Sequence, residues 1–467
     1  MIRFQKITLI IFKMITTKNP ATGKILTEYS VMSSDEALSS AEKVFNESFS
    51  WRKTKFFERK KLFIQLAKIL RDNKKRYAEM ITCEMGKIIR ESLLEVEKCA
   101  VLAETLAEHG EKWLDEELVN AGGEKHIITY EPLGTIYLIM PWNYPFWQPF
   151  KVALLPLFAG NTIILKHAKN VTGSAILVEE AFRKSGFPEN VFKTLIIDHD
   201  TSDLLIDSEF VQGVSLTGSV SSGAKVASRA AKNIKKSVLE LGGSDPFIIL
   251  EDADIEKAAI GAVMGRMGNC GQVCVGAKRI IVNESIAEKF SKRYAELVTQ
   301  LKQGDPMDPK TDIGPVVDLD SLNDMEEFVK DAKSKGAKIL TGGERFGNEG
   351  CYYKPTVISQ TTKDMSIINE EVFGPVVPII IVKDDDEAVR VANKSIFGLS
   401  ATIWTNNLSK GEELARKLEC GGVFINHISA SHPLLPLGGI KMSGYGRELS
   451  HIGIKEFMNI KQISVYK

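Results

Sequence analysis

The spacing of apolar residues divides the chain into a helical first part and a longer part in which strands and helices alternate. The run from Ser33 to Glu36 is a good helix start, because cap residues precede acids near the positive helix end. Across residues 57–80 and 83–110, apolar residues recur at intervals of three and four. This spacing predicts amphipathic helices over most of the first third of the chain.

After residue 126 the pattern changes to short apolar runs separated by helical segments. Residues 126–130 alternate as in a strand, and the nearly continuous apolar run at 134–140 predicts a strand buried on both faces. Further strands are predicted at 161–165, 191–197, 211–216, 237–240, 247–250, 280–282, 377–381, 401–404 and 460–466, with helices at 172–186 and from 219. This alternation predicts an α/β fold of two closely joined units, each with a parallel sheet covered by helices.

Composition excludes several classes of protein. The 467 residues are 44% hydrophobic and 26% charged, which is typical of a globular protein. Lys plus Arg equals Asp plus Glu at 60 each, so the balance argues against a nucleic-acid partner. No apolar run approaches the roughly 20 residues of a membrane span. We expect the natural chain to start at Met14, with residues 1–13 an upstream extension.

Cysteine usage favours a reducing, cytoplasmic location, because six cysteines are too few for a disulfide framework in a chain of this length. Neither CxxC nor HExxH occurs, so no metal site is predicted. Cys274 is flanked by small residues that leave room for a substrate at its sulfur, although a buried structural thiol fits the same pattern. Cys270, four residues earlier, is either a redox partner or a packed neighbour.

Glu240 is the candidate general base. It follows an apolar strand and precedes two glycines, and desolvation at such a place raises the proton affinity of a carboxylate. A salt-bridged strand end is the alternative. Residues 217–223 follow another buried strand and open a helix, where free N–H groups bind phosphate, although an ordinary capped helix start looks the same. Asn143 lies just after the strand at 134–140 and could donate to an oxyanion, or belong to a plain aromatic turn.

Together these segments resemble the NAD(P)-dependent aldehyde dehydrogenase superfamily over about residues 15–467. The resemblance rests on PWNYP at 141–145, LKHA at 165–168, TGS at 217–219, LELGG at 239–243, GQVC at 271–274, EEVFGP at 370–375 and GGIKMSGYGRE at 438–448. Within the superfamily, the WNYPFWQ, KHAKNV, ELGGSDPF and LECGGVFIN segments look most like the succinate-semialdehyde dehydrogenase-like branch.

The resemblance implies a domain organisation and an assembly. It implies a Rossmann-like dinucleotide-binding domain at 1–113 and 133–242 and an α/β catalytic domain at 243–442. A small β arm at 114–132 and 459–467 would pair across subunits in a homodimer or homotetramer. The implied activity is oxidation of a small aliphatic aldehyde or semialdehyde, with succinate semialdehyde the leading substrate.

The resemblance also implies roles for single residues. Cys274 would attack the aldehyde as thiolate, Asn143 and the Cys274 backbone N–H would hold the oxyanion, and hydride transfer to the nicotinamide would leave a thioester. Glu240 would activate water to release the acid, with Glu448 a possible proton relay. The implied cofactor contacts are Trp142, Lys166, Lys169, Gly218, Ser219, Leu241, Glu371 and Phe373. The implied substrate contacts are Trp147, Lys151 and Ser431.

Three positions depart from the family pattern. Lys169 stands where NAD-preferring relatives carry an acid, and Lys166 and His167 lie beside it, so a positive field is expected there. We therefore expect NADP to be preferred and NAD to be used as well. The two substrate-binding arginines of typical succinate-semialdehyde dehydrogenases are replaced by Gly268 and Lys151.

Two other functions compete with simple oxidation. A CoA-acylating semialdehyde dehydrogenase would pass the thioester to a thiol and would not require a water-activating carboxylate such as Glu240. A catalytically idle binding protein could share the fold, but the complete set of Cys274, Glu240 and Asn143 argues against it.

Overall fold

The computed structural model describes residues 13–467, so most of the segment before the expected start at Met14 lies outside the described residues. The first elements are a hairpin, four helices and two strands. They are β1 (Met14–Lys18), β2 (Ile25–Ser30), α1 (Ser34–Trp51), α2 (Phe56–Asp72), α3 (Lys74–Met85), α4 (Ile89–His109), β3 (Glu117–Leu118) and β4 (Lys125–Pro132). A short 3₁₀ turn at Lys112–Leu114 follows α4.

Local sequence explains the helix boundaries. Ser33 caps α1 through a reciprocal contact with Glu36, as the sequence predicts. The prediction of one continuous helix at 57–80 is wrong. Asn73 leaves the helical conformation and separates α2 from α3. Gly86 ends α3 at φ 78°, a left-handed conformation that glycine adopts readily, so α4 begins later than the predicted residue 83.

The next segment, residues 135–240, builds most of a six-stranded sheet, with a helix after each of its first four strands. Its elements are β5 (Thr135–Met140), α5 (Trp147–Ala159), β6 (Thr162–His167), α6 (Thr172–Lys184), β7 (Phe192–Thr194), α7 (His199–Asp207), β8 (Gly213–Thr217), α8 (Val220–Lys232) and β9 (Lys236–Glu240). The strand order is β9-β8-β5-β6-β7, all parallel. The order reverses between β5 and β8, where ligands bind in folds of this type.

The segment from residue 246 builds a seven-stranded sheet. Its elements are β10 (Pro246–Ile249), α9 (Ile255–Met267), β11 (Arg279–Asn283), α10 (Glu284–Thr299), α11 (Leu319–Ser334), β12 (Lys338–Thr341), β13 (Thr356–Ser359), α12 (Ser366–Asn369), β14 (Val376–Val382), α13 (Asp385–Asn393), β15 (Phe397–Gly398), β16 (Ser400–Trp404), α14 (Leu408–Ala415) and β17 (Gly422–Ile425). The strand order is β12-β13-β14-β11-β10-β16-β17, with β12 antiparallel to β13 and the other neighbours parallel.

Strands of the C-terminal segment pair with strands from both earlier parts of the chain. Its elements are β18 (Ile440–Lys441), β19 (Gly444–Tyr445), α15 (Ser450–Gly453) and β20 (Met458–Val465). β18 pairs with β15, and β19 extends the six-stranded sheet beside β9. The division into domains stays a prediction. Apart from β19, the strands of the six-stranded sheet precede residue 243, where the predicted boundary falls, and those of the seven-stranded sheet follow it.

The predicted β arm is a three-stranded sheet within one chain. β20 pairs antiparallel with β4 over eight residue pairs within one chain, and β3 lies on the other side of β4. The two predicted segments are therefore partners within one chain, and pairing of this arm across subunits stays a prediction. The outer edge of β20 has no partner strand within residues 13–467, and Ile460 and Ile463 on it are exposed. Within the same range, no helix has the length and apolar character needed to cross a membrane.

Candidate active site

A cavity of about 270 Å³ opens at the carboxyl ends of β5, β8 and β9. The predicted residues that line it are Trp142, Asn143, Gly218, Ser219, Glu240, Leu241, Cys274, Glu371 and Phe373. Thr217, from the predicted phosphate-binding segment, also lines the cavity, as does Gln148, which was not predicted from the sequence. Residues from both large sheets therefore meet around one space, with the predicted nucleophile and the predicted base in the same wall.

Cys274 lies in the loop between α9 and β11, after a tight turn. Asn269 and Cys270 in that turn have positive φ angles of 49° and 54°, a conformation uncommon for residues other than glycine. Burial raises the pKa of the Cys274 thiol well above its usual value, and the negative charge of Glu240 adds to the effect. The thiol is therefore protonated at rest and needs a base before it can act as a nucleophile.

Glu240 is the last residue of β9 and is only 1% exposed. Within residues 13–467, neither of its carboxylate oxygens has a hydrogen-bond partner. Burial raises the pKa of Glu240 to about 7, while the nearby Lys151 ammonium opposes the shift. A carboxylate with this pKa can accept and release a proton near neutral pH, as a general base must.

Asn143 is buried and held from both sides. Its Nδ2 donates to the carbonyl of Gln272 at 3.0 Å, which leaves one amide N–H without an acceptor among residues 13–467. The backbone carbonyl of Asn143 accepts from Lys87 Nζ at 3.0 Å and from Asn269 Nδ2 at 2.9 Å. The amide is therefore fixed beside the cavity with a donor available for a developing oxyanion.

A buried ion pair supports the loop that carries Asn143. Lys87 pairs with Glu95 on α4, and the other oxygen of Glu95 accepts from the backbone N–H groups of Phe146 at 2.8 Å and Trp147 at 3.0 Å. Sequence reasoning missed both residues. A signal was present, because Glu95 stands between Ser92 and Cys99 on the face of α4 that the helical period predicts to be buried.

Lys278 fixes the nucleophile loop from the other side. Its ammonium donates to the carbonyls of Gly243 at 2.7 Å and Cys274 at 2.9 Å and pairs with Glu371. Glu371 in turn accepts from the Gly243 backbone N–H at 3.1 Å. A Cβ at Gly242 would lie 2.2 Å from Glu371, so the close approach of this carboxylate requires a glycine. No pattern in the sequence pointed to Lys278.

A model of the aldehyde dehydrogenase family matches residues 12–463, almost the whole chain. The chain belongs to the aldehyde dehydrogenase family. The family and the α/β class expected from the sequence are thereby confirmed. The family model covers the loops of Asn143, Glu240 and Cys274 alike.

Individual relatives cover nearly all of this aldehyde dehydrogenase. A succinate semialdehyde dehydrogenase of Escherichia coli (strain K12), named for NAD(P)+, is 42% identical over 445 residues, 95% of this chain and 96% of that protein. A succinate-semialdehyde dehydrogenase of Mycobacterium bovis, named for NADP(+), is 39% identical over 96% of this chain and 99% of its own. The structure of the Streptococcus pyogenes succinic semialdehyde dehydrogenase with NADP+ is 36% identical, with a TM-score of 0.95 over 97% of this chain and 100% of its own.

The cofactor side of the cavity has the features that a dinucleotide requires. The Trp142 and Phe373 rings meet edge to face with centroids 5.7 Å apart. Ser219 caps α8 through Ser222 N at 3.3 Å, so the start of this helix faces the cavity with its positive end. The nearest heavy atom to a Cβ at Gly218 would be 3.6 Å away. A phosphate group fits this arrangement, because the backbone approach is open.

The predicted adenosine contacts lie outside this cavity, at the end of β6. Lys166 is buried, and Lys169 is exposed at the start of a short 3₁₀ turn, Lys169–Val171. The expectation that His167 adds positive charge there is wrong. Burial lowers the pKa of His167 to about 4, although contacts of the ring with the carbonyls of Met140 and Pro145 oppose the shift. The ring is therefore neutral at pH 7.

The predicted relay and substrate residues also lie outside this cavity. Glu448 and Lys151 are both buried and form an ion pair of 2.5 Å, so the charge that Lys151 would offer a substrate is already neutralised within the chain. Trp147 and Ser431 both contact Lys98, which sequence reasoning missed.

Proposed function

We propose that this aldehyde dehydrogenase oxidises succinate semialdehyde to succinate, with NADP as the preferred cofactor and NAD as a second one. The observation that carries the proposal is that Cys274, Glu240 and Asn143 line one cavity beside the start of α8. The two relatives and the solved structure described above, all named for this semialdehyde, support the choice of substrate.

Cys274 acts first, as the nucleophile. Its thiol is protonated at rest, and Glu240, with a pKa of about 7, is the base beside it that can take the proton. The thiolate then adds to the aldehyde carbon, because a hydrogen on a trigonal carbonyl carbon cannot leave as hydride until that carbon becomes tetrahedral. The free N–H of Asn143 and the Cys274 backbone N–H stabilise the oxyanion that forms.

Bound NADP+ supplies the acceptor for the hydride. Residues of the chain keep the reacting groups in place, since Lys278 ties Cys274, Gly243 and Glu371 together at the meeting point of the two sheets. Glu240 returns the thiol proton to solvent and, ionised again, takes a proton from water. The resulting hydroxide adds to the thioester carbon, and the carbon–sulfur bond breaks, so that the acid is released and Cys274 leaves as thiolate. The two unpartnered oxygens of Glu240 support this second role.

A substrate panel at fixed NADP concentration tests the proposal. Succinate semialdehyde is expected to give the highest kcat/KM among aldehydes of two to five carbons, and adding coenzyme A is expected to leave free succinate as the product. A higher kcat/KM for butanal would contradict the substrate assignment. Formation of succinyl-CoA would instead favour the CoA-acylating alternative.

Lys169 motivates a prediction about cofactor choice. It is exposed, and a cation at this place favours the 2′-phosphate of NADP, whereas a carboxylate repels it and binds the free ribose hydroxyls of NAD. An exposed Lys–phosphate pair contributes about 1 kcal/mol. Replacing the cation by an anion adds repulsion, so Lys169→Glu is expected to shift the kcat/KM ratio toward NAD by at least about tenfold.

The control for this experiment is Lys68→Glu, at an exposed position of α2 on the surface of the same domain. It makes the same change of charge and is expected to leave the cofactor ratio unchanged. A wild-type enzyme that strongly prefers NAD, or an equal response to both substitutions, would show that Lys169 does not select the cofactor.

We also propose a homodimer or homotetramer in the cytoplasm. The open edge of β20 with its exposed Ile460 and Ile463 supports assembly, because open strand edges are usually paired or covered. The free state of the cysteines suits a reducing compartment. Light scattering at micromolar concentration is expected to give at least twice the chain mass of 51.8 kDa. The mass of a monomer would contradict the assembly.

A further inference from the structure

Four lysine ammonium groups lie around the nucleophile and the loops that support it, and three of them have a carboxylate partner. The three pairs are Lys87–Glu95, Lys151–Glu448 and Lys278–Glu371. The fourth is Lys98 on α4. Within residues 13–467, no carboxylate oxygen lies within 4.0 Å of its ammonium group. Lys98 is therefore the cation of this group that remains free to bind an anion.

Lys98 is half-buried and held by neutral partners. Its Nζ donates to Ser431 Oγ at 2.6 Å and lies 4.3 Å from the centroid of the Trp147 ring. Both contacts orient the ammonium group, and neither neutralises its charge. Trp147 is the first residue of α5, one position before Gln148 in the cavity wall. The ammonium is thus fixed beside the segment that carries Asn143 and Gln148.

The surroundings of Lys98 disfavour its positive charge. Burial, together with repulsion by Lys151, lowers the pKa of Lys98 to about 8, while the nearby Glu95 carboxylate acts in the opposite direction. A half-buried cation without a counter-charge is unfavourable, so an anionic group that arrives beside it is stabilised.

The positions that the family pattern reserves for substrate cations do not supply one in this chain. Lys151 is neutralised by Glu448. Gly268 has no side chain, and the space beside it is open, since the nearest heavy atom to a Cβ there would be Glu91 Oε1 at 3.8 Å. Glu91, Glu95 and Lys98 lie on one face of α4, so the same helix that supports the catalytic loops presents the free cation.

We propose that Lys98 binds the distal carboxylate of the substrate and thereby determines the preference for an aldehyde with an anionic far end. The inference rests on the proposed oxidation of a semialdehyde and adds the residue that selects it. Ser431 and Trp147 carry no charge, and they contribute to substrate binding by orienting the Lys98 ammonium group.

The test compares two aldehydes of equal chain length, succinate semialdehyde and butanal, at fixed NADP concentration. Lys98→Met keeps most of the side-chain volume and removes the charge. It is expected to lower the ratio of kcat/KM for succinate semialdehyde to that for butanal by at least about tenfold, because hydrogen bonds to charged groups discriminate at that level or above. Lys98→Arg keeps the cation and is expected to preserve most of the ratio.

The control is Lys68→Met, which removes an exposed lysine of α2 and is expected to leave the ratio at the wild-type value. If Lys98→Met does not yield folded protein, Lys98→Gln is measured in the same way with the same expected loss. An equal loss for both aldehydes would show a purely structural role for Lys98 and overturn the inference. A wild-type enzyme without activity on succinate semialdehyde would overturn the proposed function itself, whereas an active wild type with an unchanged ratio in the variant would overturn only the role of Lys98.

Discussion

Cys274→Ala is expected to abolish aldehyde oxidation, with kcat/KM reduced by about 10⁴-fold or more, because Cys274 carries the one thiol among the described residues that line the cavity. Cofactor binding is expected to persist, since the start of α8 and the Trp142–Phe373 pair do not depend on the sulfur. The measurement is NADPH formation by absorbance, together with quenching of tryptophan fluorescence by NADP. Trp142 in the cavity wall provides the fluorescence signal.

Cys270→Ala is the matched control. Cys270 lies four residues before Cys274 and is buried, and burial raises the pKa of its thiol far above neutrality. It lies outside the cavity wall, so its replacement is expected to retain activity. Cys274→Ala activity within tenfold of the wild type would rule out Cys274 as the nucleophile. Failure of wild-type Cys274 to react with iodoacetamide would revive the idle binding protein as an interpretation.

Glu240→Gln is expected to slow the steady-state rate by about 10²- to 10⁴-fold, because the isosteric amide cannot accept a proton from water. Pre-steady-state experiments with excess substrate are expected to show a first phase that is slowed but still forms about one equivalent of reduced cofactor, followed by a much slower phase. The thiol can also lose its proton to solvent water, whereas activation of water for release of the acid depends on Glu240. Equal loss of both phases would limit the role of Glu240 to activation of Cys274.

The rate of acid release is expected to depend on pH through the ionisation of Glu240. Burial raises the pKa of Glu240 to about 7, and the carboxylate must be ionised to accept a proton. Acid release by the wild type is therefore expected to increase as the pH rises through 7 and to level off above it. In Glu240→Gln, the rate of the slow phase is expected to stay constant over the same pH range. A wild-type rate that falls over the same range would contradict the assignment of Glu240 as the base.

The sequence was sufficient to predict the alternating α/β order and to identify three residues that line one cavity, because both depend on local patterns. Buried strands such as β5 are continuous apolar runs, and Cys274, Glu240 and Asn143 stand in short motifs. Helix breaks were harder to predict from the sequence, since the apolar period continues on both sides of Asn73, where the helix is interrupted. The pairing of β4 with β20 joins segments more than 300 residues apart, and only the folded chain shows it.

The charge pairing around the site could not be predicted. Lys151 and Glu448 are almost 300 residues apart, and so their ion pair has no signal along the chain. The same holds for the contact of Lys98 with Ser431. The assignment of Lys151 to the substrate followed from position alone, and the structure shows that its charge is already matched by Glu448. Position along the chain identifies which residues are available, and three-dimensional packing determines which charges remain free.

The most direct test of the account is to identify the acylated residue in Glu240→Gln. The variant is mixed with succinate semialdehyde and NADP, quenched in acid during the slow phase, digested with trypsin and analysed by fragment mass spectrometry. The peptide 267–278 contains both Cys270 and Cys274, so the fragments distinguish them. We expect a succinyl thioester on Cys274. An unmodified peptide after a full burst of NADPH, or a succinyl group on Cys270, would contradict the proposed mechanism.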